Sequence, residues 1–342
     1  MSCSRDNYTV APDTQSTLDI SVIIATYNRA KVLAATLRSL WAMDTTGLRW
    51  ELLVVDNNSS DDTAKVAQAW QERLPLRYLF EPRQGQNRAR NAALAVAGGG
   101  LITMTDDDVT PCQAWLKELW AAAGRWPQHD VFCGPVLTAI PPAFEGTLAG
   151  AVPTCNFVFA GGEGVLPADI MPISANFAIR RRAYAGFKTR LFDPTIGPRG
   201  ARRISGSETV AMKALMAAGH RIVYVPGAPV LHKTPEGFHS IAGLCRRAFA
   251  QGCGDVRVVR FGEEYPRVFG VPRFVLRMLA EDFAGMILAT AAGQRREALH
   301  KLFHALRFLG IYREWRREWR MTAPSRGQEW SARSEETQRN EE

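Results

Sequence analysis

The sequence predicts an α/β fold: an open, mostly parallel sheet flanked by helices, followed by a helical C-terminal region. Three observations carry this. Apolar runs of strand length alternate with helical patterns through the first hundred residues, polar residues gather where each run ends, and from about Phe238 helical periodicity stands alone.

Residues 20–25, Ile-Ser-Val-Ile-Ile-Ala, make the first strand, and Leu33, Leu37 and Leu40 then fall on one face of a helix. Residues 51–55 make a second strand. Ser59, Ser60, Asp61 and Asp62 are N-capping residue types ahead of a helix through Val66, Ala69 and Trp70. Residues 76–80 are a third strand, 86–97 an Ala-rich helix that the glycines 98–100 stop, and 101–105 a fourth strand. A parallel sheet of this kind gathers ligands at the carboxyl ends of its strands. Those ends read Thr26-Tyr27-Asn28-Arg29, Asp56-Asn57-Asn58-Ser59-Ser60 and Thr105-Asp106-Asp107-Asp108-Val109.

Three carboxylates at the end of a buried strand call for a counter-charge, and a divalent cation with oxygen ligands supplies one. The same residues also read as a solvated acidic turn capping a helix near Pro111. The layout is that of a nucleotide site without a phosphate loop. No G-x-G-x-x-G follows the first strand and no G-x-x-x-x-G-K-[ST] occurs, which removes support for dinucleotide binding and P-loop hydrolysis. A diphosphate would then be neutralised by a metal on the triple Asp and by arginines.

Composition fits an enzyme with a sizeable core: 342 residues, 46% of them hydrophobic. The uncharged apolar stretch at residues 283–294 is far short of the roughly 20 residues of a membrane span. Residues 1–19 are polar, with no apolar signal core. The six cysteines form no C-x-x-C pair, which points to thiols in a reducing cytoplasm. The net charge of +8 is unevenly spread: residues 295–320 hold eight Lys or Arg against three Glu, a net of five positive charges. That is a local basic face, not the uniformly basic surface of a nucleic-acid partner.

Four segments now stand in order: Ser-Val-Ile-Ile-Ala-Thr-Tyr-Asn-Arg (21–29), Val-Val-Asp-Asn-Asn-Ser-Ser-Asp-Asp-Thr (54–63), Asn-Arg-Ala-Arg-Asn-Ala-Ala (87–93) and Asp-Asp-Asp-Val (106–109). Together they resemble the successive motifs of the family 2 glycosyltransferases of the GT-A fold. The likeness continues through Ser-Ala-Asn-Phe-Ala-Ile-Arg-Arg (174–181), Gly-Ser-Glu-Thr (206–209) and Gly-His-Arg-Ile-Val-Tyr-Val-Pro (219–226). It divides the chain into an N-terminal tail (1–18), a GT-A catalytic domain (19–235), a C-terminal helical region (236–322) and a polar, disordered tail (323–342).

The resemblance implies an inverting transferase that moves a sugar from a nucleotide-diphosphate donor, UDP-linked in the first instance, to a hydroxyl acceptor. The acceptor would be a glycan, a lipid-linked sugar of cell-surface polysaccharide synthesis, or a small molecule. Thr26, Tyr27 and Asn28 would line the base and ribose, and Asp56 would accept a base N–H; a carboxylate and an aromatic ring suit those tasks. Arg90 would help fix the nucleotide. In the acidic run the family's D-x-D pattern falls on Asp106 and Asp108, with Asp108 the direct ligand of Mg2+ or Mn2+; Asp106 and Asp107 are set beside the nucleotide, and Asp107 also reads as pointing away and contributing only to fold or field. The family's acidic pair, usually Glu-Asp, reads Ser207-Glu208 here, so Glu208 takes the place of the catalytic base one methylene further out. The same Glu208 also reads as a helix-start residue favoured by the macrodipole. Ala214 stands where the family often carries a basic residue. His232 matches a position where a histidine approaches the metal or diphosphate; a structural histidine is the other reading. His300 and His304, four apart on a helix with no third ligand near, read as surface residues.

Leu299, Leu302, Phe303, Leu306 and Leu309 make one apolar stripe in the C-terminal region, followed by Arg307, Arg313, Trp315, Arg316, Arg317, Trp319 and Arg320. Such a helix either lies on an anionic membrane surface, peripheral to the inner face of the plasma membrane, or packs on the catalytic domain with a solvated outer face. Two other functions fit parts of the pattern. A sugar nucleotidyltransferase shares the open sheet and Mg2+ but would show a Gly-rich basic loop after the first strand. The Ser207-Glu208 departure leaves room for a nucleotide-sugar-binding protein without catalysis.

Overall fold

The computed structural model describes residues 18–138, 155–185, 187, 191–199, 202–234, 237–259, 265–268 and 271–322. The tails expected at 1–18 and 323–342 lie outside the described residues, apart from Leu18, which opens the first strand. β1 (Leu18–Thr26), β2 (Trp50–Asp56), β3 (Leu76–Phe80) and β4 (Gly99–Thr105) pair in parallel, linked by α1 (Ala30–Trp41), α2 (Thr63–Ala69) and α3 (Gln86–Val96). Alternate residues of these strands serve opposite faces. Val22, Ile24, Leu52 and Val54 pack with Leu33, Leu37 and Leu40 of α1, while Ile23, Leu53 and Val55 pack with Ala89, Ala93 and Leu94 of α3. Both faces are covered, which is why the strands read as continuous apolar runs.

Beyond β4 the chain forms β5 (Val109–Pro111), α4 (Trp115–Arg125), β6 (Val131–Cys133), β7 (Val136–Leu137), β8 (Gly164–Val165), β9 (Phe177–Arg180) and α5 (Arg181–Ala185). The β10 (Gly197–Arg199) and β11 (Arg202–Ile204) hairpin, α6 (Ser207–Ala217), β12 (Ile222–Tyr224) and β13 (Val230–His232) follow. The main sheet has the order β3-β2-β1-β4-β9-β6-β12-β8; β9 runs antiparallel to β4 and β6, and β8 antiparallel to β12. Strand order reverses between β1 and β4, so their carboxyl ends flank the crevice where such sheets bind ligands.

Two local expectations are corrected. The fourth strand begins before the expected residue 101: Gly99 and Gly100 open β4, and a Cβ on Gly99 would stand 2.3 Å from the Ser21 nitrogen, so only glycine lets β1 and β4 approach there. The residues around Pro111 form β5, not a helix start; α4 begins at Trp115.

The C-terminal region contains α7 (Ile241–Val259), β14 (Arg267–Val268), β15 (Val271–Pro272), α8 (Arg273–Ala291) and α9 (Arg295–Thr322). The α9 stripe is turned inward. Phe303 is buried with Leu244 and Ala248 of α7, and Leu299, Leu302 and Leu306 pack on them; Leu309 stays exposed. Trp315 is buried beside Val256, Val271 and Val275. Gly310 permits the close crossing, since a Cβ there would stand 2.2 Å from the Phe249 oxygen of α7. Arg307 donates to Asp255 at 2.6 Å and Arg257 to Glu314 at 2.9 Å, so part of the basic face is paired within the bundle. His304 is not a plain surface residue: its Nδ1 lies 2.5 Å from Oδ2 of the buried Asp282 on α8. No helix among the described residues is long and apolar enough to cross a membrane.

Candidate active site

β4 runs out into the triple Asp, and β5 then pairs antiparallel with β13, placing His232 opposite Val109. His232 Nε2 therefore lies 3.3 Å from Asp108 Oδ1 and 3.9 Å from Asp106 Oδ2. Asp106, Asp108 and His232 offer ligand atoms all within 4.8 Å of one another, the one such grouping of His, Cys, Asp and Glu among the described residues. Asp108 Oδ1 and His232 Nδ1 are buried without a hydrogen-bond partner. Two carboxylates and an imidazole, with a buried carboxylate oxygen left over, fit a divalent cation and not a solvated turn.

Asp107 turns the other way. It is buried, accepting from Thr26 Oγ1 at 2.7 Å and pairing with Arg29 Nη1 at 2.8 Å. Burial, partly offset by Arg29, pushes its carboxyl up to about 7. Arg29 also reaches Asp108 Oδ2 at 2.7 Å, so one guanidinium bridges two of the three carboxylates. Sequence reasoning gave Arg29 no role. Its place at the end of β1, at the same crevice as the triple Asp, was the available signal.

Thr26 and Asp56 sit side by side in the β1–β2 register, both buried. Asp56 Oδ1 accepts from the Ser59 nitrogen at 2.8 Å and Oδ2 from the Tyr78 hydroxyl at 2.9 Å. Tyr27 is exposed, and Asn28, at φ 52°, accepts from the Ser60 nitrogen at 2.7 Å. Asp61, an expected cap, accepts from the nitrogens of Ala30 and Thr63, tying α1 to α2. Arg90 on α3 is buried, with Nη2 3.1 Å from Asp106 Oδ1 and 3.3 Å from Ser174 Oγ; its Nη1 has no partner.

Glu208 lies in the first turn of α6, which Gly206 opens in a left-handed conformation at φ 98°, and Ser207 beside it donates to Asn87. Glu208 lines a cavity of about 410 Å³ together with Asp106, Asp108, His232 and Arg29. Thr26, Tyr27, Asn28, Asp56 and Arg90 are not among its walls; they stand around the ends of β1 and β2 and on α3. The far wall comes from the C-terminal region through Phe238, Arg247, Ala250 and Gln251, which no local motif marks.

The chain matches the model of Glycosyl transferase family 2 over residues 21–185. It is 30% identical over 240 residues to the succinoglycan biosynthesis protein ExoM of Rhizobium meliloti, covering 69% of this chain and 74% of that one. It is 37% identical over 113 residues to the GalNAc(5)-diNAcBac-PP-undecaprenol beta-1,3-glucosyltransferase of Campylobacter jejuni, covering 32% of this chain and 36% of the other. Among solved structures, the mannosyltransferase PcManGT of Pyrobaculum calidifontis, in complex with GDP-Man and Mn2+, superposes with a TM-score of 0.58 at 19% identity over 89% of each chain. The S. aureus TarS 1-349 structure with UDP-GlcNAc gives 0.52 at 16% identity, covering 89% of this chain and 92% of that one.

The fold and the sequence relatives define a glycosyltransferase built on a GT-A-type sheet. The chain belongs to glycosyl transferase family 2. A sugar nucleotidyltransferase and a binding protein without catalysis are not favoured.

Proposed function

We propose that this glycosyltransferase moves a sugar from a nucleotide-diphosphate donor, UDP-linked in the first instance, to an acceptor hydroxyl with inversion, in a divalent-metal-dependent reaction. The observation that best supports this is the convergence of Asp106, Asp108 and His232 in one cavity with Glu208. Asp108, Asp106 and His232 would hold Mg2+ or Mn2+, which when bound would offset charge on the diphosphate as the nucleotide leaves.

Thr26, Tyr27, Asn28 and Asp56 receive base and ribose; the two donors on Asp56 fix its carboxylate while leaving lone pairs for a base N–H. Arg90 brings a buried, unpaired Nη1 toward the donor phosphates. Arg29 and Thr26, by holding Asp107, keep the acidic run in place. Glu208 takes the proton from the acceptor hydroxyl as the new bond forms on the face opposite the leaving group.

ExoM and the Campylobacter enzyme carry names from polysaccharide biosynthesis and a lipid-linked glucosyl transfer. A glycan or lipid-linked acceptor of cell-surface polysaccharide synthesis is the class proposed here, reached by peripheral association with an anionic membrane.

Thermal stabilisation by UDP-glucose, UDP-GlcNAc and GDP-mannose, each with and without Mn2+, followed by donor hydrolysis, tests the reading. At least one donor should stabilise the protein only with metal and be turned over. Equal stabilisation after EDTA treatment, or no response to any donor, removes it.

A further inference from the structure

The family's acidic pair reads Ser207-Glu208 in this chain, and the structure gives Ser207 a partner of its own. Ser207 and Asn87 are both buried, and the Ser207 hydroxyl donates to Asn87 Oδ1 at 2.5 Å across 120 positions of chain. The Asn87 amide nitrogen gives its hydrogens to the carbonyls of Asp193 and Ile196, at 2.6 and 3.1 Å. Those two bonds fix which way the amide points: Oδ1 faces α6, and only a donor satisfies it there. A carboxylate side chain at position 207 would set one acceptor against another in a buried place. The hydroxyl is the group that fits.

Ser207 stands between Glu208 and a chain segment held from two sides. On one side, Ser205 and Gly206 are fitted against α7: a Cβ on Gly254 would stand 2.2 Å from the Ser205 oxygen, and one on Gly206 would stand 2.4 Å from Val258 Cγ2. On the other side, the bond to Asn87 ties the first turn of α6 to α3. α3 also carries Arg90, 3.1 Å from Asp106 Oδ1, and Gln86, which lines the cavity with Glu208. The helix that bears Glu208 is therefore fastened to the helix that reaches the acidic run. A base works only within hydrogen-bond reach of the hydroxyl that it deprotonates, and a misplacement of about 1 Å can cost 10²-fold in rate.

We propose that Ser207 and Asn87 are positioning residues for Glu208: their bond sets the distance of its carboxylate from the group of Asp106, Asp108 and His232. The proposal rests on the reading of Glu208 as the base. Donor hydrolysis reports on it without an acceptor. A water oxygen forms the new bond to the anomeric carbon and gives one proton to Glu208, while the bond from that carbon to the diphosphate oxygen breaks and its electron pair leaves with the nucleotide.

The test uses the full chain with Mn2+ and UDP-glucose, UDP-GlcNAc or GDP-mannose, whichever is hydrolysed fastest. Ser207→Ala should lower kcat for hydrolysis about tenfold, with the donor KM and the calorimetric affinity for the nucleotide within about twofold of wild type. Ser207→Cys, close in size but a weak donor, should fall between the two and carries the same comparison if the alanine variant does not fold. The deciding measurement repeats the substitution in a Glu208→Gln background. There Ser207→Ala should cause no further fall in kcat, because the group that it positions no longer takes the proton. Equal falls in both backgrounds would mean that the bond supports the cavity in general, which overturns the proposal. So does a Ser207→Ala variant with wild-type kcat, or one whose loss is confined to KM or nucleotide affinity. Unchanged hydrolysis in Glu208→Gln alone instead overturns the reading of Glu208 as the base.

Discussion

The Tyr78 hydroxyl donates to Asp56 Oδ2 at 2.9 Å, joining β3 to the carboxylate at the end of β2. Burial and the Asp56 carboxylate push the phenol up to about 12, so it remains a donor throughout the neutral range. Tyr78→Phe should leave Asp56 held only by the Ser59 nitrogen, weakening nucleotide binding several-fold and lowering stability by about 1 kcal/mol. Nucleotide calorimetry and thermal unfolding check this. Unchanged affinity would mean that Asp56 does not read the base.

Asp108→Ala should abolish turnover and metal-dependent nucleotide binding while the protein still folds. Arg29 keeps its pair with Asp107, and the lost carboxylate sits at a strand end where it contributes charge and little packing. Circular dichroism checks the fold, and nucleotide titration with and without Mn2+ checks the binding. Wild-type turnover after exhaustive EDTA treatment would rule the metal out.

Glu208→Gln keeps the size of the side chain and its hydrogen bonding but cannot take up a proton. Donor affinity should survive while transfer falls by roughly 10²-fold or more. If transfer stays within a few-fold of wild type, Glu208 serves as a helix-start residue and the base lies elsewhere.

What the sequence revealed and what it hid divide along a physical line. β1 to β4 were legible because strands buried on both faces need continuous apolar residues, and Asp106, Asp108 and Glu208 because they lie in short contiguous motifs. Arg29 was visible inside such a motif, yet its role depends on Asp107 and Asp108, some eighty positions away, which only folding brings near. The same holds for the α7 wall: Arg247 and Gln251 sit in an ordinary amphipathic helix, and nothing local says that this helix abuts Ser205 and Gly206. The α9 stripe shows the converse limit. Periodicity shows that one face is apolar but not what covers it, and here α7 covers most of it.

That packing moves the expected membrane contact from α9 to α8. Phe283, Ile287 and Leu288, at i, i+4 and i+5 on α8, are 42%, 63% and 70% exposed, and Arg295 and Arg296 are exposed at the start of α9 just beyond the turn. Each apolar side chain buried in a lipid interface contributes about 1.5–3 kcal/mol. A basic residue near anionic headgroups adds on the order of 1 kcal/mol, screened as ionic strength rises. The full-length protein should therefore sediment with anionic vesicles at low salt and be released at high salt. Ile287→Ser combined with Leu288→Ser should reduce sedimentation with little change in stability, because both side chains are already exposed. Leu302→Ser should instead lower the melting temperature, because Leu302 packs on the buried α7–α9 cluster. Wild-type protein that stays in the supernatant at low salt would leave the α8 patch without a lipid partner, and the acceptor then need not be presented from a membrane.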